Sequence, residues 1–370
     1  MDIHHDSQLE LSPEVWLRIL HIALEPDVDP RADEYTPFIP NPEGEMGAHV
    51  ALAAQLVRVC RSWYALLLPT LCRDIRLGKG SVPLLQHARR VVLPYTSTDE
   101  STVEQLRQCS EIKTLCRPYC SQDWRANYNQ DVPPAIPLPS LERLEFYMPE
   151  KSQHVGINSL GNVLLQTPNL RYLYFESLAM SDYLPYLDMR IELPLLETLR
   201  VYHMRGYIVE DLLSVWVLPA LKTLILDNPV IHANLQRFWS LAGRTLTRVE
   251  LGPVIQFMNH DYLGLCLENC PVLEDLGYFI CLTNLPDHRQ SHPTLRRIRL
   301  HLGHWADIFK SVPRTLLREH LIEFHHSGMQ SLATFYIHGS EYLDAYTSGF
   351  DWEALKKQIA TEGREIVLHR

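Results

Sequence analysis

Seven times between Leu141 and Leu300 the chain returns to one rhythm, a short turn followed by apolar residues at the first, fourth and sixth positions. The segments are LPSLERLEF, TPNLRYLYF, LPLLETLRV, LPALKTLIL, GRTLTRVEL, CPVLEDLGY and HPTLRRIRL. Their leading leucines, from Leu141 and Leu170 to Leu273 and Leu295, stand 29, 26, 25, 25, 27 and 22 residues apart. Within each segment the apolar positions alternate with polar ones, the period of a strand that buries one face. Between segments the spacing becomes that of a helical stripe, at Val209, Leu212, Leu213 and Trp216, then at Leu235, Phe238, Trp239 and Ala242. The same stripe recurs at Leu263, Cys266, Leu267 and Cys270, and at Trp305, Ile308, Phe309 and Val312. Strand and helix alternating at this period predict parallel strands joined by helical crossovers.

Weaker versions of the unit extend the pattern at both ends. Cys72–Leu77, Ala88–Leu93 and Ile112–Leu115 lie before the clear set, and Leu332–Ile337 and Ile366–Leu368 after it. A helix around Trp352, Leu355 and Ile359 is expected to seal the end, because a terminal repeat has no neighbour to cover it.

The polar positions of the strands separate two architectures, a closed or doubly wound α/β domain and an open solenoid. A strand covered on both faces reads as a continuous apolar run. Here the intervening residues are Arg143, Glu145, Tyr172, Tyr174, Arg200, Tyr202, Arg248, Glu250, Arg297 and Arg299. One sheet face is therefore expected to be wet, with helices on the other only. The predicted fold class is α/β. Residues 78–370 are similar to an irregular leucine-rich-repeat solenoid, an open horseshoe with parallel strands on the concave face, helices outside and a C-terminal cap.

The front of the chain follows a different pattern. In LSPEVWLRILHIAL, Ser12 suits a helix cap and Pro13 its first position, and two stripes follow. One is Val15, Ile19 and Ile22; the other is Trp16, Leu20 and Ala23. A second apolar piece, HVALAAQLVRVCRSWYALLLP, carries Leu52, Leu56, Val59, Cys60, Trp63, Leu66 and Leu67. Residues 25–48 between them hold five prolines and seven acidic side chains against one arginine, and read as a solvated loop. Two such helical pieces carry more apolar surface than a unit this small can hide within itself.

These residues resemble the F-box family, especially its mushroom-type fungal form. The resemblance rests on Pro13, Glu14, Leu17, Ile19 and Leu20, and on Val59, Cys60, Arg61 and Trp63, within a helical module spanning 9–77. It departs from the family pattern at Ser12, where the usual Leu-Pro opening reads Leu11-Ser12, and in the extra residues of the 25–48 insert. The resemblance implies that the module docks a Skp-type linker protein and, through it, a cullin. Docking would fall to Leu11, Pro13, Val15, Trp16, Ile19, Leu20, Leu52, Leu56, Val59 and Trp63.

Composition narrows the remaining choices. A net charge of −10 argues against general affinity for nucleic acid or anionic lipid. No apolar run is long enough for a membrane helix, and MDIHHDSQLE is unlike a targeting leader. Eight scattered cysteines read as core thiols of a reducing compartment, which predicts a cytoplasmic or nuclear protein. No phosphate-binding glycine loop, G-x-S-x-G elbow, H-E-x-x-H helix or paired C-x-x-C is present, and no cofactor or metal is expected.

The polar strand face is then the place to look for binding. Tyrosine and arginine are enriched where interface energy concentrates. Tyr147, Tyr172, Tyr174 and Tyr202 lie toward one half with Arg200, and Arg248, Arg297 and Arg299 toward the other. The expectation is a non-catalytic substrate receptor of an SCF-type cullin–RING ubiquitin ligase that holds an unknown protein target on this face. The rival readings are a repeat scaffold that recruits no ligase and an α/β enzyme, which would need a deep closed pocket.

Overall fold

A computed structural model describes residues 12–24, 52, 55–78, 85–94, 100–118, 136–148, 157, 159–177, 190–202, 206–226, 235–252, 262–280, 285, 291–303, 315–326 and 328–369. The expected 25–48 loop, the stripe from Trp305 to Val312 and Leu11 lie outside them.

The described chain opens with α1 (Pro13–Leu24) and α2 (Arg61–Leu71). Twelve strands follow, each bonded to the next in chain order, and every pairing is parallel. The first three are β1 (Asp74–Arg76), β2 (Arg90–Val92) and β3 (Thr114–Arg117), with α3 (Glu100–Gln108) before β3. Next come β4 (Arg143–Met148), α4 (Leu160–Leu164), β5 (Tyr172–Ser177) and β6 (Thr198–Tyr202). The middle holds α5 (Gly206–Val215), β7 (Thr223–Leu226), α6 (Leu235–Ala242), β8 (Arg248–Leu251), α7 (Tyr262–Asn269) and β9 (Asp275–Phe279). The chain closes with β10 (Arg297–His301), α8 (Leu316–His326), β11 (Thr334–His338), α9 (Leu343–Thr347), α10 (Trp352–Thr361) and β12 (Glu365–His369). Each repeat segment and each weak unit has become one strand. Because β1 and β12 do not pair, the sheet is open, and the fold is a solenoid-like repeat of strand and crossover.

The leucines of the repeat explain the packing. Leu144, Leu173, Leu199, Leu224, Val249, Leu276, Ile298 and Phe335 occupy one register column and are all buried. They share a single core with Val103, Val163, Leu212, Trp239, Cys266 and Leu321 from the helices, so the helices cover the face that carries the leucines. The predicted stripes at 209–216, 235–242 and 263–270 correspond to α5, α6 and α7. Leu355 and Ile359 of α10 close the core at the far end, and Gly363, at φ 77°, turns the chain from α10 into β12.

Strand entry is fixed by a chain of shared carbonyls. The Glu142 oxygen accepts from both Arg171 and Tyr172 N–H, the Arg171 oxygen from Glu197 and Thr198, and the Glu197 oxygen from Lys222 and Thr223. The same double acceptance runs from Arg73 through Arg296. Side chains at these positions alternate in charge for part of the way, with Lys113–Glu142 at 2.6 Å and Arg171–Glu197 at 2.9 Å.

The helical head has its own small core, Leu20 and Leu67, with Leu56, Val57 and Trp63 against it. Trp16 and Trp63 meet with ring centroids 5.2 Å apart. Of the two stripes on α1, one is thus consumed inside the head.

Candidate functional site

Opposite the helices, the strands present three register columns of polar and aromatic residues. The first runs Arg143, Tyr172, Thr198, Thr223, Arg248, Asp275, Arg297, Thr334, Glu365. The second runs Cys116, Glu145, Tyr174, Arg200, Ile225, Glu250, Gly277, Arg299, Tyr336, Val367. The third holds Tyr147, Glu176 and Tyr202 in one half and Phe279, His301, His338 and His369 in the other. Thr198, Thr223 and Ile225 carry no charge, so the face divides into two networks.

In the first network Arg143 Nε donates to Glu145 Oε1 at 2.7 Å, and the Cys116 thiol faces Glu145 Oε2 at 3.3 Å. The Arg143 guanidinium lies 3.9 Å from the centre of the Tyr172 ring, and that of Arg200 lies 5.1 Å from Tyr174. The Tyr174 hydroxyl donates to Glu176 Oε2 at 2.6 Å.

The second network is deeper. Arg299 grips Asp275 with two bonds, Nε to Oδ1 at 2.7 Å and Nη2 to Oδ2 at 2.6 Å. Glu250 is wholly buried and accepts from Arg248 Nη2 at 2.8 Å, with His301 Nε2 3.3 Å from its other oxygen. Burial pushes the Glu250 carboxyl up, but the His301 contact and the Arg248 charge outweigh it and hold the group at about 2. Gly277 makes room for this carboxylate, since any Cβ there would overlap it. Beside it, Phe279, His301, His338 and His369 stack across four strands at 5.0, 4.7 and 4.9 Å, close to the strand spacing itself.

These contacts correct the expectation of a wet face. The residues are polar, as the alternation requires, yet Tyr147, Tyr172, Arg200 and Arg299 are buried, and Tyr174, Tyr202, Arg248 and Arg297 are only partly covered. The reason is the strand spacing: large side chains in adjacent strands lie flat on one another, and carboxylates neutralise the arginines between them. The alternation singles out the arginines and tyrosines, whereas Asp275, Gly277, His338 and His369 join the site only through their neighbours. Their shared register with Arg297, Arg299 and His301 was the available signal.

Burial raises the thiols of Cys72, Cys109 and Cys116, the opposite of what a nucleophile needs. Among the described residues no three His, Cys, Asp or Glu side chains converge as a metal site. None of the described helices is long and apolar enough to cross a membrane.

On the head, the candidate docking residues separate. Leu20 is buried, Trp16, Leu56 and Trp63 are half-buried within the head, and Pro13 opens α1. Val15 and Ile19, each 42% exposed, lie with Ile22 at 68% on one side of α1, and Val59 is 61% exposed. Leu52 and Tyr64 are exposed too. No protein-family model matches the chain, and no curated protein is significantly similar to it.

Proposed function

We propose that the chain is the substrate-recognition subunit of an SCF-type cullin–RING ubiquitin ligase, built as an F-box head on a leucine-rich-repeat solenoid. The supporting observation is the division of labour on α1. The Trp16 and Leu20 stripe stabilises the head, while the Val15, Ile19 and Ile22 stripe stays exposed at a spacing that another helix can grip. In this reading that stripe, with Val59, docks a Skp-type linker and through it a cullin, in the cytoplasm or nucleus. The strand face holds a protein target near a ubiquitin-charged enzyme, so the subunit supplies proximity and no covalent step of its own.

In this reading the contact rests mainly on the exposed residues, because Leu20 is buried in the head and Trp63 is half-buried against it. The test therefore changes only exposed residues. Ile19→Asp combined with Val59→Asp should abolish co-purification of the linker, each lost anchor weakening binding by ~2–4 kcal/mol. The melt of the repeats should stay unchanged. Undiminished co-purification would refute the docking role.

A scaffold that recruits no ligase is the second reading. It draws on α2 lying beside β1, where the head can act simply as a cap for the first strand. Co-expression separates the two: a receptor co-elutes with the linker, and a scaffold is indifferent to it.

A further inference from the structure

The sheet ends at β12, and among the described residues no strand lies beyond it. Register tells which groups face that open side. Glu365 N–H donates to the Ala333 carbonyl, with Glu365 opposite Thr334 in the parallel ladder. Along a strand, successive residues turn their N–H and C=O to opposite sides. Glu365, Val367 and His369 are therefore bonded toward β11, and Ile366 and Leu368 direct their backbone groups outward.

The side chains make this edge complementary to itself. When two copies of β12 pair antiparallel about Val367, Ile366 stands opposite the second copy's Leu368, and Glu365 opposite its His369. Residues directly opposite share a face. The apolar pairs thus meet on the helix side, where Leu368 is 45% exposed and Ile366 partly buried. The two Glu–His pairs meet on the polar side. The outward groups of Ile366 and Leu368 are those that an antiparallel hydrogen-bonded pair exchanges, so backbone hydrogen bonding and side-chain pairing select the same register.

From this edge we infer that the chain self-associates through β12, two copies joining their sheets across a two-fold axis at Val367. The axis is perpendicular to the sheet, so both polar faces look the same way and the head of each copy lies at the far end from the joint. The contact is one short strand per copy, well below the ~800 Å² per partner of standard interfaces, so the association is reversible and concentration-dependent.

Sedimentation of the 370-residue chain over a concentration series tests it. The weight-average mass should climb from 42.8 kDa toward twice that value. Leu368→Pro removes an outward N–H without touching a bond to β11, and should hold the chain at the monomer mass. Glu365→Lys and His369→Glu should each weaken association several-fold, and the double variant should restore it. A monomer at every concentration would overturn the inference, as would a dimer that neither the proline nor the single charge changes weaken. Should Leu368→Pro melt early, the charge-swap series decides.

Discussion

Gly277 leaves the space that the Glu250 carboxylate fills. The two residues are neighbours in register on β8 and β9, and a Cβ at Gly277 would collide with the Glu250 side chain. Glu250 cannot yield easily, because Arg248 and His301 hold its two oxygens in a wholly buried site. Gly277→Ala should therefore destabilise the chain by about 1–3 kcal/mol, the range for overfilling a packed interior. Glu250→Ala in the same background should cost less than Glu250→Ala alone. A double-mutant cycle in urea reads the difference, and additive effects would contradict the contact.

The Arg299–Asp275 pair sets a second expectation. Both partners are buried and joined by two short bonds. Asp275→Ala leaves the guanidinium without this carboxylate, and breaking such a pair destabilises by ~3–5 kcal/mol. Replacing both members, Asp275→Leu with Arg299→Met, should be milder than either single change. Chemical denaturation of the three variants checks the order.

Acid should weaken the fold from mildly low pH downward. Burial, then the charges of His301, His369 and Arg299, hold the His338 imidazole down at about 3 against the opposing pull of Glu250, and burial does the same to His320. Both rings stay neutral in the folded chain and protonate freely once unfolded, near 6.5. Stability is then fully present above 6.5 and falls as the pH drops toward 3, by about 2 kcal/mol per histidine at pH 5. His338→Phe keeps a ring in the stack and removes one such proton. Urea midpoints from pH 7.5 to 5 should show a shallower slope for that variant. Glu250 adds a loss at lower pH, from its ordinary value near 4.5 down to about 2, because its carboxylate is favoured by folding.

The head should respond separately from the sheet. Leu20 and Leu67 form a core that is distinct from the one beneath the strands. Leu67→Ala should cost ~2–5 kcal/mol locally. Hydrogen exchange should rise across α1 and α2 while β4 to β11 keep their protection. Equal loosening of both regions would show that the two cores unfold as one.

The periodic residues carried most of the fold. Apolar residues at the first, fourth and sixth positions mark seven strands, and the weaker units that contain Ile75, Val91, Leu115, Phe335 and Ile366 mark five more. This worked because burial on one face imposes a period that local composition cannot disguise. Less of the candidate site could be read. Both α1 stripes are apolar in sequence, and only packing shows that Leu20 turns inward while Ile19 does not. Likewise Arg299 and Arg297 look alike as strand arginines, yet burial between Asp275 and Tyr336 makes the first part of the interior. Such distinctions depend on which side chains from other strands lie alongside, and linear spacing holds no record of them. Nor does spacing announce α8, since LLREHLIEFHH scatters its polar residues around the buried Leu317, His320, Leu321 and Phe324.

The carbonyls shared from Arg73 to Arg296 fix where β2 to β11 each enter the sheet beside the strand before. Segments that leave the far ends of the strands can therefore lengthen, shorten or change composition without disturbing alignment, as the uneven intervals already illustrate. A change of length at that rim should leave the entry points of the strands where they are.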